Sequence, residues 1–204
     1  LQIPKQGIGE WCHPLHTVDI NDAGLRSSVQ NGILNTELGI PFRTPAEGHN
    51  VAFTSLWDNY PDSLEIPLKG KASRAYLLMA GSTNHMQCHI DNGVIRIYYK
   101  DGTRDVMFLR NPDNWPPIEH IFFEDGLAFN RHTPALYRLR LKTGEISNNF
   151  GEELGFPGAS RELDGGAAVL LEMPLNPGKK LSHLVLETLS NDVVIGLMSI
   201  TLQR

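Results

Sequence analysis

The sequence lacks long apolar runs and long runs of one charge. No stretch approaches the ~20 consecutive apolar residues that cross a bilayer as a helix. Over 204 residues, 18 Lys and Arg oppose 23 Asp and Glu, which gives a formal net charge of -5 without a block of five like charges. A basic stripe that could follow phosphates is therefore missing. We expect neither a membrane span nor a nucleic-acid partner.

Cysteine is also scarce, since Cys12 and Cys88 are the two cysteines of the chain. In an oxidising compartment they could form one disulfide, but two is also an ordinary number of buried thiols. The opening stretch "LQIPKQGIGEW" lacks the charged and apolar segments of a signal peptide, which says little about the compartment. The state of the cysteines stays open at this point.

The common catalytic motifs are missing as well. The sequence contains no G-x-S-x-G, no H-E-x-x-H, no P-loop and no G-x-G-x-x-G fingerprint. Adjacent acids occur as Glu124-Asp125 and Glu152-Glu153. A glycosidase needs two carboxyl groups roughly 5 to 10 Å apart across a cleft, whereas neighbouring acids in glycine-flanked loops are more often solvated turn residues. We therefore predict no catalytic residues, and an enzyme is the alternative.

Short strands dominate what is present. From Asn50 onward, short runs rich in Val, Ile, Leu, Tyr and Phe are broken by turn dipeptides about every ten residues, which is the all-β pattern. The predicted strands are "NVAFTSLW", "SLEIPLKG", "SRAYLLMAG", "GVIRIYYK", "TRDVMFLR", "ALYRLRLK", "AAVLLEMPL", "LSHLVLETLS" and "VVIGLMSITLQ". We predict that residues 50 to 202 form an antiparallel β-sandwich of two packed sheets with roughly 8 to 10 strands.

The organisation is that of one domain, residues 1–204. Residues 1–47 carry Gly, Pro and His without clear periodicity and are expected to wrap, as an extended arm, around a sandwich at 48–204. Within the arm, "DAGLRSSVQ" (Asp22 to Gln30), with Asp22 as N-cap, predicts one short helix. Long loops are expected at 111–134 and 143–165, where binding groups usually lie.

Two turns and the core follow from the pattern. Asp101-Gly102 between alternating runs predicts a hairpin, and "SNDVV" near Asn191 predicts a second tight turn. The predicted core positions are Ala75, Leu77, Met79, Ile95, Ile97, Tyr99, Val106, Phe108, Leu184, Leu186, Ile195, Leu197 and Ile200.

The stretch "AGSTNHMQCHIDNG" places two histidines, a cysteine and an aspartate within seven residues. Because a turn and a strand follow it, "NHMQCHI" is predicted to be the first arm of a hairpin. In an extended arm His85 and His89 lie roughly 13 Å apart, too far to share a zinc ion. His89 and Asp91 could still join ligands from a neighbouring strand. We predict a polar sheet face rather than a metal site, and no stoichiometric zinc.

Several segments occur in a recognisable order: "GIPF", "NVAFTSLWDNYP", "IPLKGKASRAYLLMAGST", "IRIYYKDGT", "NPDNW" and the ending "LSHLVLETLSNDVVIGLMSITL". From Gly39 to Leu202 the chain resembles the galactose-binding-like jelly-roll domains attached to bacterial polysaccharide-degrading enzymes. It is most similar to an uncharacterised family of such domains from gut-type Gram-negative bacteria. The resemblance implies a jelly-roll sandwich, a periplasmic or extracellular setting and a carbohydrate context, but no particular activity.

The tryptophans suggest where a sugar could bind. Trp57 and Trp115 stand beside turn-forming residues in "SLWDNYP" and "PDNWPP", and an exposed indole can stack on a sugar ring while nearby polar groups bind its hydroxyls. The alternative is that both rings plug the open ends of the sandwich. The predicted carbohydrate-binding residues are Trp115, Asn114, Asp113, Arg110, His85, Asn84, Trp57 and Asp58.

Together these features predict a non-catalytic accessory β-sandwich domain in a carbohydrate-processing system. Its partner would be a poly- or oligosaccharide, or a catalytic glycosidase domain of the same parent chain. The alternatives are a stand-alone glycan hydrolase or lyase that uses loop acids or histidines, and a pure scaffold domain. We predict no cofactor, and a structural calcium ion stays open. The sugar, its linkage and the oligomeric state are not indicated.

Overall fold

The computed structural model describes residues 20–57, 60–84, 87–120, 130–149 and 163–204. Within these ranges nearly all regular structure is strand, and the sheets are antiparallel. The all-β sandwich predicted from the sequence is confirmed. In the described ranges, no helix has the length and apolar character needed to cross a membrane.

One short helix and thirteen strands make up the described elements. They are α1 (Ala23–Ser27), β1 (Val29–Gln30), β2 (Ile33–Asn35), β3 (Pro41–Arg43), β4 (Ala52–Ser55), β5 (Ser63–Pro67), β6 (Arg74–Thr83), β7 (Gly93–Tyr99), β8 (Arg104–Leu109), β9 (Arg138–Arg140), β10 (Ile146–Ser147), β11 (Ala167–Pro174), β12 (Leu181–Thr188) and β13 (Val193–Gln203). Each of the nine predicted strands is present, and the sequence pattern missed β1 to β3 and β10.

Two sheets form the sandwich. A six-stranded sheet has the order β10-β9-β11-β6-β13-β4, and a four-stranded sheet has the order β5-β12-β7-β8. The main core lies between them and contains Leu77 and Met79 from β6 with Ile95 and Ile97 from β7. Burying these aliphatic side chains against each other supplies the main drive for the two sheets to pack.

The N-terminal segment covers the other face of the six-stranded sheet. Strands β1, β2 and β3 form a small sheet of their own, and Leu34 and Phe42 from it pack with Leu78 and Ala80 in a second apolar cluster. Strand β6 is therefore buried on both faces, which explains its nearly continuous apolar sequence. The described part of the predicted arm, residues 20–47, thus contains a helix and a sheet as well as extended chain.

The predicted helix forms but is shorter than "DAGLRSSVQ". It ends at Ser27, and Asp22 precedes it without a capping hydrogen bond from its side chain. The Asp22 carboxylate instead accepts hydrogen bonds from Arg26 Nε at 2.9 Å and from Asn50 Nδ2 at 2.8 Å. Because Asp22 is only 1% exposed, this paired charge ties the helix to the chain that enters β4.

The Asp101-Gly102 hairpin forms as predicted. Strands β7 and β8 are joined by residues 100–103, and Gly102 takes a positive φ of 84° that suits glycine. Residues 189–192 make the second predicted turn, between β12 and β13.

The predicted core is wrong on strand β8. Val106 and Phe108 are 42% and 41% exposed, because Met107 and Leu109 face the core instead. Both faces of "DVMFL" carry apolar residues at alternate positions, so the pattern fits two registers that differ by one residue. The structure selects the register that lets Asp105 accept a hydrogen bond from the Tyr99 hydroxyl.

The other predicted core positions are buried, except that Ile200 is only partly buried. The register of β13 against β6 shifts between Leu197 and Ser199. Met198 lies in the second cluster, as alternation from Val194 requires, and the irregularity after it brings Ile200 back to the main core side.

Candidate functional site

Polar loops gather at one end of the sandwich. Strand β6 ends at Thr83, which lies opposite Val193, and β8 ends at Leu109, which lies opposite Gly93. The loops that follow these strands therefore meet. We call this region the loop end and define it as residues 84, 87–92, 110–117, 132–133 and 189–192, where residues 132 and 133 contact Asp113.

The loop at 87–92 is not the extended hairpin arm that the sequence predicted. His89 has a φ of +56°, in the left-handed region and far from the extended conformation of a regular strand. The backbone N–H of His89 donates to Asn111 O at 2.7 Å, and Cys88 pairs with Asn111 as an isolated parallel bridge. The loop thus turns toward residues 110–115, and His89 and Asp91 acquire different partners there.

Asn92 fixes this loop from inside. It is fully buried, and its Nδ2 donates to Gln87 O at 3.2 Å while its Oδ1 accepts from Thr83 Oγ1 at 3.2 Å. Its carbonyl accepts the backbone N–H groups of Leu189 and Ser190. A buried amide with this many bonds holds three chain segments together, and the surface residues of the loop are positioned by it.

The loop at 110–115 meets the first loop through an exposed ion pair. Arg110 Nε donates to Asp91 Oδ1 at 2.6 Å, and the two side chains are 48% and 38% exposed. The hydrogen bond to Asp91 raises the pKa of Arg110 above its ordinary value. The bond between Arg110 and Asp91 thus joins the loop after β8 to the loop after β6.

Asn114 closes the second loop on itself. Its Oδ1 accepts the Arg110 backbone N–H at 2.8 Å, and its Nδ2 donates to Phe108 O at 2.9 Å. Both polar atoms of the side chain are therefore engaged in shaping the loop, where the sequence predicted a contact with sugar.

Trp115 is not the exposed platform that the sequence suggested. Its side chain is 0% exposed and belongs to the main core. The ring packs on Gly81, where an added Cβ would lie 2.8 Å from Trp115 Cζ2. A side chain enclosed in this way cannot stack on a sugar, so the expectation of an exposed indole is wrong. The alternative weighed for it, a ring that plugs the end of the sandwich, describes its position.

The remaining predicted sugar-binding residues are placed as follows. Trp57 is partly buried against the second apolar cluster, with its ring centroid 6.1 Å from that of Tyr60. The backbone N–H of Asn84 donates to Asp192 O at 3.2 Å. His85 and Asp58 lie outside the described residues.

Phe108 supplies the exposed aromatic ring that Trp115 does not. It stands on edge strand β8 just before the second loop, and the guanidinium carbon of Arg110 lies 5.6 Å from its ring centroid. The exposure of this ring was not predicted, because the sequence pattern assigned Phe108 to the core. The only sign in the sequence that could have indicated an exposed Phe108 is that the two faces of β8 are equally apolar.

A second group at this end is formed by two histidines and a carboxylate. His89, Asp113 and His132 each offer one ligand atom, and these atoms all lie within 4.8 Å of one another. Asp113 Oδ2 is 3.9 Å from His89 Nδ1 and 3.6 Å from His132 Nδ1. The sequence predicted a polar sheet face here rather than a metal site, because the stretch around His89 was expected to be a strand. His132 is 43 positions after His89, and nothing local connects them.

Two further predictions involve residues outside the described ranges. Both acid pairs, Glu124-Asp125 and Glu152-Glu153, lie outside them. Cys88 forms no disulfide within the described part of the chain, and its sulfur lies 3.5 Å from Asn111 Nδ2. Cys12 also falls outside the described ranges, so the Cys12–Cys88 bridge stays a prediction.

Comparison of the chain with protein-family models, with curated proteins and with solved structures gives no match.

Proposed function

We propose that this chain is a non-catalytic accessory domain of a carbohydrate-processing system and that it binds a poly- or oligosaccharide at the loop end. The proposal draws on the resemblance to galactose-binding-like jelly-roll domains, which also implies a periplasmic or extracellular setting. The observation that carries it is the exposed Phe108 ring beside the Arg110–Asp91 ion pair.

These three side chains have the chemistry that a sugar requires. The C–H face of a pyranose packs on an aromatic ring, while charged and amide groups exchange hydrogen bonds with its hydroxyls. Phe108 is 41% exposed, and the guanidinium and carboxylate beside it are half-exposed and already oriented by each other. A polar pair that is fixed before the ligand arrives loses little conformational entropy on binding.

A second occupant of the same end is a catalytic domain of the parent chain. Leu56, Ile90 and Leu189 are 37%, 46% and 38% exposed. Ile90 and Leu189 belong to the loop end, and Leu56 follows β4, whose last residue pairs with Val194 near the start of β13. Exposed apolar side chains grouped in this way favour a packing contact with protein. A domain that docks through them would serve as a spacer rather than as a sugar receptor.

Binding measurements on matched variants test the proposal. Plant and host polysaccharides are titrated against wild type, Phe108→Ala and Val106→Ala by calorimetry. Val106 is the control because it lies on the same face of β8 with 42% exposure but two positions further from the loop end than Phe108. Losing a stacking aromatic costs about 2 kcal/mol or more, so Phe108→Ala should weaken affinity roughly thirtyfold while Val106→Ala leaves it unchanged.

Three results would count against the proposal. If wild type binds none of the polysaccharides, the sugar-binding reading is wrong. If both variants bind as wild type does, the site lies elsewhere. A reducing-sugar assay on the same samples covers the third case, because turnover by wild type would show that the domain is an enzyme.

A further inference from the structure

The two histidines and the aspartate of the loop end come from three separate chain segments. His89 belongs to the loop after β6, Asp113 to the loop after β8, and His132 to the chain that leads to β9. Their ligand atoms nevertheless lie within 4.8 Å of one another, and the two imidazole ring centroids are 4.6 Å apart. The fold thus brings three side chains of metal-ligating type from separate segments to one point.

We propose that His89, Asp113 and His132 bind a divalent transition-metal ion, and that zinc suits the site. This inference does not depend on sugar binding. It also departs from the sequence-based expectation of a metal-free polar face.

The distances leave room for an ion. With metal–ligand bonds of about 2.0 Å in a tetrahedral site, ligand atoms lie roughly 3.3 Å apart. The Asp113 Oδ2 atom is 3.9 Å from His89 Nδ1 and 3.6 Å from His132 Nδ1. Both separations are longer than a hydrogen bond. They are only slightly longer than the roughly 3.3 Å expected between two ligand atoms of one ion. Small side-chain rotations would therefore complete the contacts.

The aspartate is already oriented for this role. Asp113 Oδ1 accepts the His132 backbone N–H at 2.7 Å, and the Asp113 carbonyl accepts Thr133 Oγ1 at 2.7 Å. The Asp113 side chain is only 14% exposed, so the carboxylate has little freedom. One oxygen is held by the backbone and the other points between the imidazoles, which is how outer contacts fix a ligating carboxylate.

The first histidine is held by its backbone. The His89 N–H donates to Asn111 O at 2.7 Å, two residues before Asp113. The separation between the first and second ligands is thus set by a backbone bond between their loops. His132 is the most exposed of the three ligands, with 65% of its side chain exposed.

The donor set selects the class of metal. Two imidazole nitrogens and one carboxylate oxygen suit zinc, nickel, copper and iron, whereas calcium takes six or more oxygen ligands. Three protein ligands leave one or more coordination positions, and the exposure of His132 lets water fill them. An ion there would join the three loops and stabilise the folded state according to its affinity.

Zinc titration of the tag-free, EDTA-treated chain tests the proposal. Calorimetry is performed on wild type, His132→Gln, His89→Asn and Asp113→Asn. Asparagine is chosen at position 89 because it tolerates the positive φ of +56° found there. His183→Gln is the matched control, since His183 also lies 3.9 Å from a carboxylate, that of Glu65, but outside the cluster.

We expect one zinc ion per wild-type chain and a rise in melting temperature when zinc is added. Each cluster variant should bind at least about tenfold more weakly, while the control should match wild type. His132→Gln is decisive, because an exposed side chain can be changed without unfolding the protein, and the metal-free melting temperature verifies this.

The outcomes that would overturn the proposal are distinct. Absence of stoichiometric binding by wild type refutes the site. Unchanged affinity in any of the three cluster variants refutes the ligand set, and an equal loss in His183→Gln shows adventitious surface binding. Calcium is titrated in parallel, and binding of calcium in preference to zinc would refute the assigned metal class.

Discussion

Replacing Trp115 tests whether the ring is a structural plug. The side chain is 0% exposed and packs between Gly81 and the main core. Trp115→Ala removes the whole ring and leaves a cavity that the surrounding sheets can only partly fill. Such substitutions cost about 3 to 5 kcal/mol of unfolding free energy.

The expected shift in melting temperature follows from the size of the chain. For 204 residues, each kcal/mol shifts the midpoint by about 2 to 4 °C, so Trp115→Ala should melt roughly 6 to 20 °C below wild type. Among the described residues, the Trp115 indole N–H has no hydrogen-bond partner. Trp115→Phe deletes that buried donor and keeps most of the ring, so it should cost clearly less than Trp115→Ala.

Phe108→Ala is the control for this experiment. It also removes an aromatic ring, but from a side chain that is 41% exposed, so its melting temperature should change far less. Thermal and urea unfolding monitored by circular dichroism measure all three variants. A drop for Phe108→Ala as large as that for Trp115→Ala would refute the assignment of Trp115 to the core and Phe108 to the surface.

Two other predictions concern the hairpin strand and its turn. Met107→Ala should cost about 2 kcal/mol, and Val106→Ala only about 0.5 kcal/mol or less, because Met107 packs on the core and Val106 is 42% exposed; urea unfolding checks this, and the reverse order would mean the opposite register. Hydrogen bonds from Thr103 and Lys179 lower the pKa of Asp101 to about 2. The carboxylate therefore stabilises the fold above its ordinary pKa of about 4, and this contribution is lost as the pH falls toward 2. Urea unfolding of wild type and Asp101→Asn should show that their difference in unfolding free energy shrinks as the pH falls through this range. A difference that stays constant would contradict the lowered pKa of Asp101.

The sandwich was predictable because two independent signals in the sequence indicate its strands. Short apolar runs locate the strands, and residues that favour positive φ mark their turns, as Gly102 does between β7 and β8. The pattern failed where one of these signals is weak. Val106 and Phe108 alternate with Met107 and Leu109, so hydrophobicity could not choose the face, and a hydrogen bond to Asp105 from another strand is part of what distinguishes the registers.

The loop end was predictable only in part. The order of the strands brings the loop after β8 to the loop before β7, where Arg110 binds Asp91. The burial of the Trp115 side chain was not predictable. Prolines and asparagines around a tryptophan indicate a loop, but they do not show whether its ring points outward. His132 lies beyond any local pattern, since its approach to Asp113 depends on tertiary structure.

The metal and sugar hypotheses can be tested separately although both concern one end of the molecule. The raised pKa of Arg110 is due first to its hydrogen bond with Asp91, and Asp113 contributes least among its causes. The geometry agrees, because Arg110 Nε donates to Asp91 Oδ1 at 2.6 Å while Asp113 Oδ1 accepts the His132 N–H. Asp113→Asn removes the proposed metal ligand while its amide oxygen can still accept the His132 N–H. Loss of zinc binding in that variant with glycan affinity intact would separate two sites, whereas joint loss would mean that the ion organises the surface that meets the sugar.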